Sequence, residues 1–213
     1  MAAAPDALLF IAPGCPHCPV VLGGLAELVK VGVIGRLEVV NVAEHPEQAA
    51  ALGVRAAPWT RIGPFVLEGA QTPKALQEWA ERAALDEGGT EYLRQLLGSG
   101  RLGEAEAYIA GSGRLRDLLP FIEDPEAPIQ VRLGANAILE AQAGRDTLAD
   151  LIPQLGSLSM HPDHRVRSDA CHLLGLSGNP EAEPFLRERL VDESDEVREI
   201  AGEAVETLGE AGR

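Results

Sequence analysis

The chain predicts a small α/β domain followed by an all-α solenoid of stacked helical hairpins. Three observations carry that prediction. Over the first 85 residues, short apolar runs alternate with helix-period segments, and this order builds βα units. From residue 114 onward a Val-Arg pair followed by Ala recurs in helix-length segments, at spacings of 35 and 31 residues. The net charge of −15 divides near the same place: residues 1–85 hold 8 acidic and 6 basic side chains, leaving 25 and 12 for the rest. At 213 residues the chain exceeds one typical small domain and is 46% hydrophobic, enough to bury a core.

Ala7 to Ala12 reads as a buried strand because Leu8-Leu9-Phe10-Ile11 is continuously apolar. Cys15-Pro16-His17-Cys18 is the turn where this strand feeds a helix. That helix carries Val20, Val21, Leu22, Leu25, Leu28 and Val29, with Pro19 in the first turn, where its missing N–H would be unpaired anyway. Leu37 to Val42 is a second strand, and the Ala-rich Pro46 to Leu52 is a short helix closed by Gly53. Trp59 to Ile62 and Phe65 to Glu68 form two strands around Gly63-Pro64. Thr72-Pro73 then caps a helix with Leu76, Trp79, Ala80 and Ala83 on one face. Gly88-Gly89 marks the boundary with the acidic half. Residues 90–112 give two short helical patterns, Tyr92, Leu93, Leu96 and Leu97, then Ala105, Tyr108 and Ile109, split by Gly98-Ser99-Gly100. The expected division is 1–86, a hairpin linker or cap over 87–113, and the repeats over 114–213.

The two cysteines carry the chemistry of the first part. A helix N-terminus offers orphan N–H groups and positive potential that stabilise a thiolate, and the ring of His17 can add a hydrogen bond or charge. At this spacing the pair can close into a disulfide, one sulfur attacking and the other resolving a mixed disulfide. Half of a zinc or iron–sulfur site is the competing reading, but the one other cysteine is Cys171 and no second pair completes four ligands. A purely structural bridge over so short a loop constrains the unfolded chain little.

The composition narrows the class further. With 3 Cys, two of them in the pair, the chain is not a disulfide-stapled secreted scaffold, and Met1-Ala2-Ala3-Ala4-Pro5-Asp6 lacks the basic start and apolar run of a signal peptide. No apolar run reaches membrane-spanning length. A reducing cytoplasm is the expected location, where such a pair is more often catalytic than structural. The acidity argues against nucleic acid and anionic membrane as partners.

Residues 7–85 resemble the thioredoxin fold, with Cys15-Pro16-His17-Cys18 at the active-site turn and Val54-Arg55-Ala56-Ala57-Pro58 matching the segment that ends in the family's cis-proline. The Pro-His pair inside the motif resembles disulfide-oxidising bacterial relatives, and the following Pro19 is similar to glutaredoxin-like oxidoreductases. This resemblance implies a thiol–disulfide oxidoreductase acting on protein disulfides. Cys15 would be the nucleophile and Cys18 the resolving thiol, with Pro58 beside them; His17 is the activating neighbour by its imidazole chemistry, a cis bond at Pro58 would turn the Ala57 backbone outward toward an extended substrate, and Pro16 and Trp59 are the further candidates to meet it. The resemblance implies no cofactor and no metal, and an electron donor the sequence does not name. An ordinary trans proline starting an edge strand is the competing reading of Pro58. Two positions depart from the family: Leu9 stands where many members hold a buried acid, and Val39 where a lysine often accompanies it.

In the second half Pro120, Pro153 and Pro184 precede Val131-Arg132, Val166-Arg167 and Val197-Arg198, which are followed by Ala135, Ala170 and Ala201. Each unit is a helical hairpin that cannot bury its apolar face alone. The pattern resembles HEAT repeats. That family implies a proline-kinked first helix, a core of the Val and Ala columns, and an arginine ladder pairing with acidic turn residues, for which Asp163, Asp192 and Asp195 are placed. The first repeat has an altered turn, Asp124-Pro125-Glu126-Ala127-Pro128. Three repeats are near the minimum for a solenoid, so its ends need the hairpin, the first domain or a second copy in a homodimer to cover them. Cys171 reads as a small buried apolar residue rather than a third redox thiol. His161, His164 and His172 read as surface or turn residues rather than metal ligands. Trp59 and Trp79 read as core or rim, Trp59 with the further option of lining a substrate groove. The function expected is thiol–disulfide exchange with repeats that recruit a protein. The alternative is a non-catalytic, redox-responsive adaptor.

Overall fold

The structure is a computed structural model and describes residues 3–85 and 87–211. The chain forms two compact units, residues 1–89 and 90–213. The boundary expected between residues 86 and 87 falls on Asp86, outside the described residues, as do the last two positions of the expected repeat segment.

In the first unit the elements run β1 (Asp6–Ile11), α1 (Cys18–Lys30), β2 (Arg36–Asn41), α2 (Pro46–Ala51), β3 (Trp59–Ile62), β4 (Phe65–Glu68) and α3 (Pro73–Ala84). Their order is the one the sequence predicts, with β1 and β2 starting one residue earlier. The sheet is mixed, in the order β2-β1-β3-β4, with β1 parallel to β2 and antiparallel to β3. Strands alternate their side chains, so Leu8 and Phe10 share one face with Val40 and Trp59 and pack there on Ala49 of α2. Ala7 and Leu9 point to the other face, where α1 and α3 lie. These two helices approach closely at Gly24, where a Cβ would sit 2.9 Å from Leu76 Cδ1. Thr72 starts α3 by accepting the Ala75 N–H at 3.1 Å. The β3–β4 hairpin turns at Gly63, whose φ of 54° suits the first central position of a two-residue hairpin loop.

In the second unit, α4 (Gly89–Gly98) and α5 (Leu102–Ser112) lead into the repeats, joined by the edge-to-face rings of Tyr92 and Tyr108. The repeats comprise α6 (Leu119–Glu123) with α7 (Ile129–Glu140), α8 (Asp146–Ala149) and α9 (Ile152–Leu158) with α10 (His164–Leu176), and α11 (Glu183–Arg189) with α12 (Asp195–Ala211). The first helix of each repeat is not one kinked rod. Pro120, Pro153 and Pro184 each occupy the second position of α6, α9 and α11, and a separate short helical piece precedes each. A proline supplies no N–H to the preceding turn, so the ladder restarts at that point. Val131, Val166 and Val197 and Ala135, Ala170 and Ala201 are all buried, as two columns of one core.

Candidate functional site

The dithiol turn follows from its local sequence. Gly14 takes φ 72°, a left-handed conformation that a side chain would oppose, and the Cys15 N–H closes the turn onto the Ala12 carbonyl at 3.2 Å. Cys15 and Cys18 are joined in a disulfide, with Cα atoms 5.5 Å apart. The Cys18 N–H, one of the unpaired amides of the first turn of α1, points at Cys15 Sγ from 3.1 Å. On the other side, Cys15 Sγ lies 3.7 Å from the carbonyl oxygen of Ala57. The Ala57–Pro58 peptide bond is cis.

Burial separates the two sulfurs. Cys15 is half-buried at the surface, whereas Cys18 is 6% exposed and faces inward with Val21 and Leu25. The arrangement can present Cys15 to an incoming sulfur while Cys18 waits behind it. Pro16 and His17 are exposed, and His17 occupies the N-cap of α1 without a side-chain cap bond. In this disulfide form the imidazole has no hydrogen-bond or ion-pair partner among the described residues. Pro58 is buried and Ala57 half-buried. Trp59 is 3% exposed and stacks edge-on against Phe10 with centroids 5.6 Å apart. Its ring therefore belongs to the core.

Beneath α1 the sheet holds a row of register partners, Val39, Leu9, Thr60 and Leu67. None of the four titrates, so the two departures from the thioredoxin pattern fall side by side and no carboxylate or amine replaces them in this row. Thr60 is fully buried and its Oγ1 has no partner among the described residues.

The charge network of the repeats differs in detail from the expected ladder. Arg167, nearly buried, makes a two-pronged bond to Asp192 (Nε–Oδ2 2.9 Å, Nη2–Oδ1 2.8 Å) and donates to the carbonyls of His161 and Pro162. Arg198 pairs with Asp195 and donates to the Asp192 carbonyl. Arg132 reaches Asp169 on α10, a partner the sequence reading missed because it lies 37 residues away on a facing helix rather than in a turn. Asp163 is not a ladder residue: it caps α10 and binds Arg165, whose hydrogen bonds hold its carboxyl well below the usual range. Burial would raise the Asp192 carboxyl, but the bonds from Arg167 and the Ser194 N–H outweigh it and leave it below the ordinary value.

Cys171 is fully buried, and burial pushes its thiol up to about 12. His161 Nδ1 accepts the Asp163 N–H at 3.0 Å, while His164 and His172 lie 3.9 and 3.3 Å from Glu196 and Glu140. Among the described residues no cluster of three His, Cys, Asp or Glu is placed to hold a metal ion. No described helix is long and apolar enough to cross a membrane.

The second unit's stacked hairpins define it as a helical repeat. Residues 115–209 match the family model of HEAT repeats. No curated protein matches the chain.

Proposed function

We propose that the first unit is a thioredoxin-like thiol–disulfide oxidoreductase and that the HEAT-repeat unit recruits its protein partner. The observation that supports this most is the unequal exposure of a disulfide-bonded pair at a helix N-terminus: Cys15 meets solvent, the Cys18 N–H and the Ala57 carbonyl, while Cys18 is buried. In the reduced chain, Cys15 thiolate attacks a substrate disulfide, forms a mixed disulfide and releases one substrate thiolate. Cys18 then attacks Cys15 Sγ, closes the bridge and releases the second. Two electrons pass from the pair to the substrate, and the two protons end on the released thiols. Run backwards, the same steps oxidise a substrate dithiol. The Cys18 proton leaves through water or the departing thiolate, since the row beneath α1 offers no base.

The HEAT-repeat match favours a second reading, a redox-responsive adaptor without turnover. Reduction of a small disulfide by the chain with excess dithiol reductant separates them. Repeated turnover that disappears in Cys15→Ser supports the oxidoreductase. One stoichiometric oxidation, with protein binding that changes with the state of the pair, supports the adaptor.

A further inference from the structure

The surroundings of the dithiol differ in charge from the rest of this acidic chain. Residues 10–26 contain no Asp, Glu, Lys or Arg, and residues 48–67 contain Arg55 and Arg61 and no acid. Arg61 sits on β3 beyond Trp59, between Leu8 and Val66. Arg55 lies in the loop leading to Ala57, two residues before the carbonyl that touches Cys15 Sγ, so its Cα is at most about 7.6 Å from that of Ala57. Its side chain is exposed. Four of the other cations of this unit are engaged: Lys30 with Glu27, Arg36 with Asp6, Lys74 with Glu78, and Arg82 over the Trp79 ring; Arg61 has no partner among the described residues but lies three residues past Pro58 along β3, away from the Ala57 carbonyl. Arg55 has no hydrogen-bond or ion-pair partner among the described residues. The Ala57 N–H, likewise without a partner there, leaves backbone free to meet an extended segment.

We propose that Arg55 selects acidic peptide segments, binding a substrate carboxylate that lies within two residues of the disulfide being exchanged; this rests on the oxidoreductase reading. An unpaired guanidinium takes a carboxylate with two parallel N–H bonds, and no acid in either stretch competes for it. Most surface charge on this protein repels an acidic peptide, so an exposed cation on the loop whose Ala57 carbonyl reaches Cys15 Sγ supplies the attraction near the point of exchange.

The test uses the full chain and two peptides, each with one intramolecular disulfide and identical except for Glu or Lys two residues either side of one half-cystine. Initial rates are measured at low and high salt. The Glu peptide is expected to react about 10-fold faster at low salt, and the advantage should shrink as screening grows. Arg55→Glu should reverse the order, while Arg36→Gln, at the opposite end of β1 and β2, should keep it. Because each variant is judged by its own ratio, a general loss of activity does not mimic the effect. A ratio near one in the unaltered chain, or an unchanged preference in Arg55→Glu, overturns the assignment while leaving the exchange reading intact. If the unaltered chain exchanges neither peptide nor a small uncharged disulfide, the oxidoreductase reading fails and the assignment falls with it.

Discussion

Cys15, Cys18 and Cys171 are three sulfurs in three environments, and their exposure ranks their reactivity. After reduction at neutral pH, alkylation is expected at Cys15 first, at Cys18 more slowly, and at Cys171 only on unfolding, read by peptide mapping; labelling of Cys18 ahead of Cys15 contradicts the assignment of roles. Thr60 gives a second check at this scale. A buried hydroxyl without a partner costs about 1–3 kcal/mol, so Thr60→Val should raise stability by about 1 kcal/mol in denaturant titration, and a loss would mean the hydroxyl is bonded. Arg167 behaves in the opposite sense. Its removal takes the two-pronged partner from buried Asp192 and leaves it the Ser194 N–H and the more distant Arg189, 3.7 Å away, so Arg167→Met should cost about 3 kcal/mol. The pH dependence follows from the lowered Asp192 carboxyl. A group held below its unfolded value contributes stability fully above about pH 4 and loses it as pH falls through the folded value, so the difference between Arg167→Met and the parent should narrow in acid.

At the scale of elements, periodicity predicts existence well and exact restarts poorly. β1 to β4 and α1 to α5 follow the sequence prediction within a residue or two, because apolar runs, Pro starts and Gly stops mark their ends. The divided first helices were not legible: a proline in a helix-length segment predicts a kink, and where the hydrogen-bond ladder restarts depends on the turn before it. Close helix approaches were hidden as well. Gly175 on α10 has room for no Cβ, which would sit 2.7 Å from that of Ala204 on α12, yet nothing in the local sequence distinguishes it from Gly202, which faces open space. That contrast makes a paired test. Gly175→Ala should destabilise by about 1–3 kcal/mol through overpacking, whereas Gly202→Ala should stabilise by up to about 1 kcal/mol through helix propensity, both read by thermal or denaturant unfolding. Equal effects would remove the close approach of α10 and α12 from the account.

At the scale of the molecule, the pair Cys15 and Cys18 was legible from spacing and context and the cis bond before Pro58 from the resemblance, whereas the approach of the Ala57 carbonyl to Cys15 Sγ was not. The partner of Arg132 was not legible, since a facing helix brings Asp169 to it across 37 residues, whereas Asp192, which binds Arg167, was among the acidic turn residues the repeat pattern picked out. Recruitment by the repeats predicts that a fragment of residues 1–89, its fold checked by circular dichroism, exchanges a small disulfide at about the full-chain rate. The Cys18→Ser form of that fragment should trap far fewer proteins from extract than full-length Cys18→Ser; equal trapping would reduce the repeats to a supporting role. The central claim is the sequence of exchange, and thiol release from a small disulfide added to the fully reduced chain tests it most directly. The account predicts two substrate thiols released per chain with closure of the Cys15–Cys18 bridge, and one thiol released by Cys18→Ser, which stops as a mixed disulfide on Cys15. No release from the unaltered chain, or a mixed disulfide found on Cys18 in the Cys15→Ser variant at the unaltered rate, would contradict it.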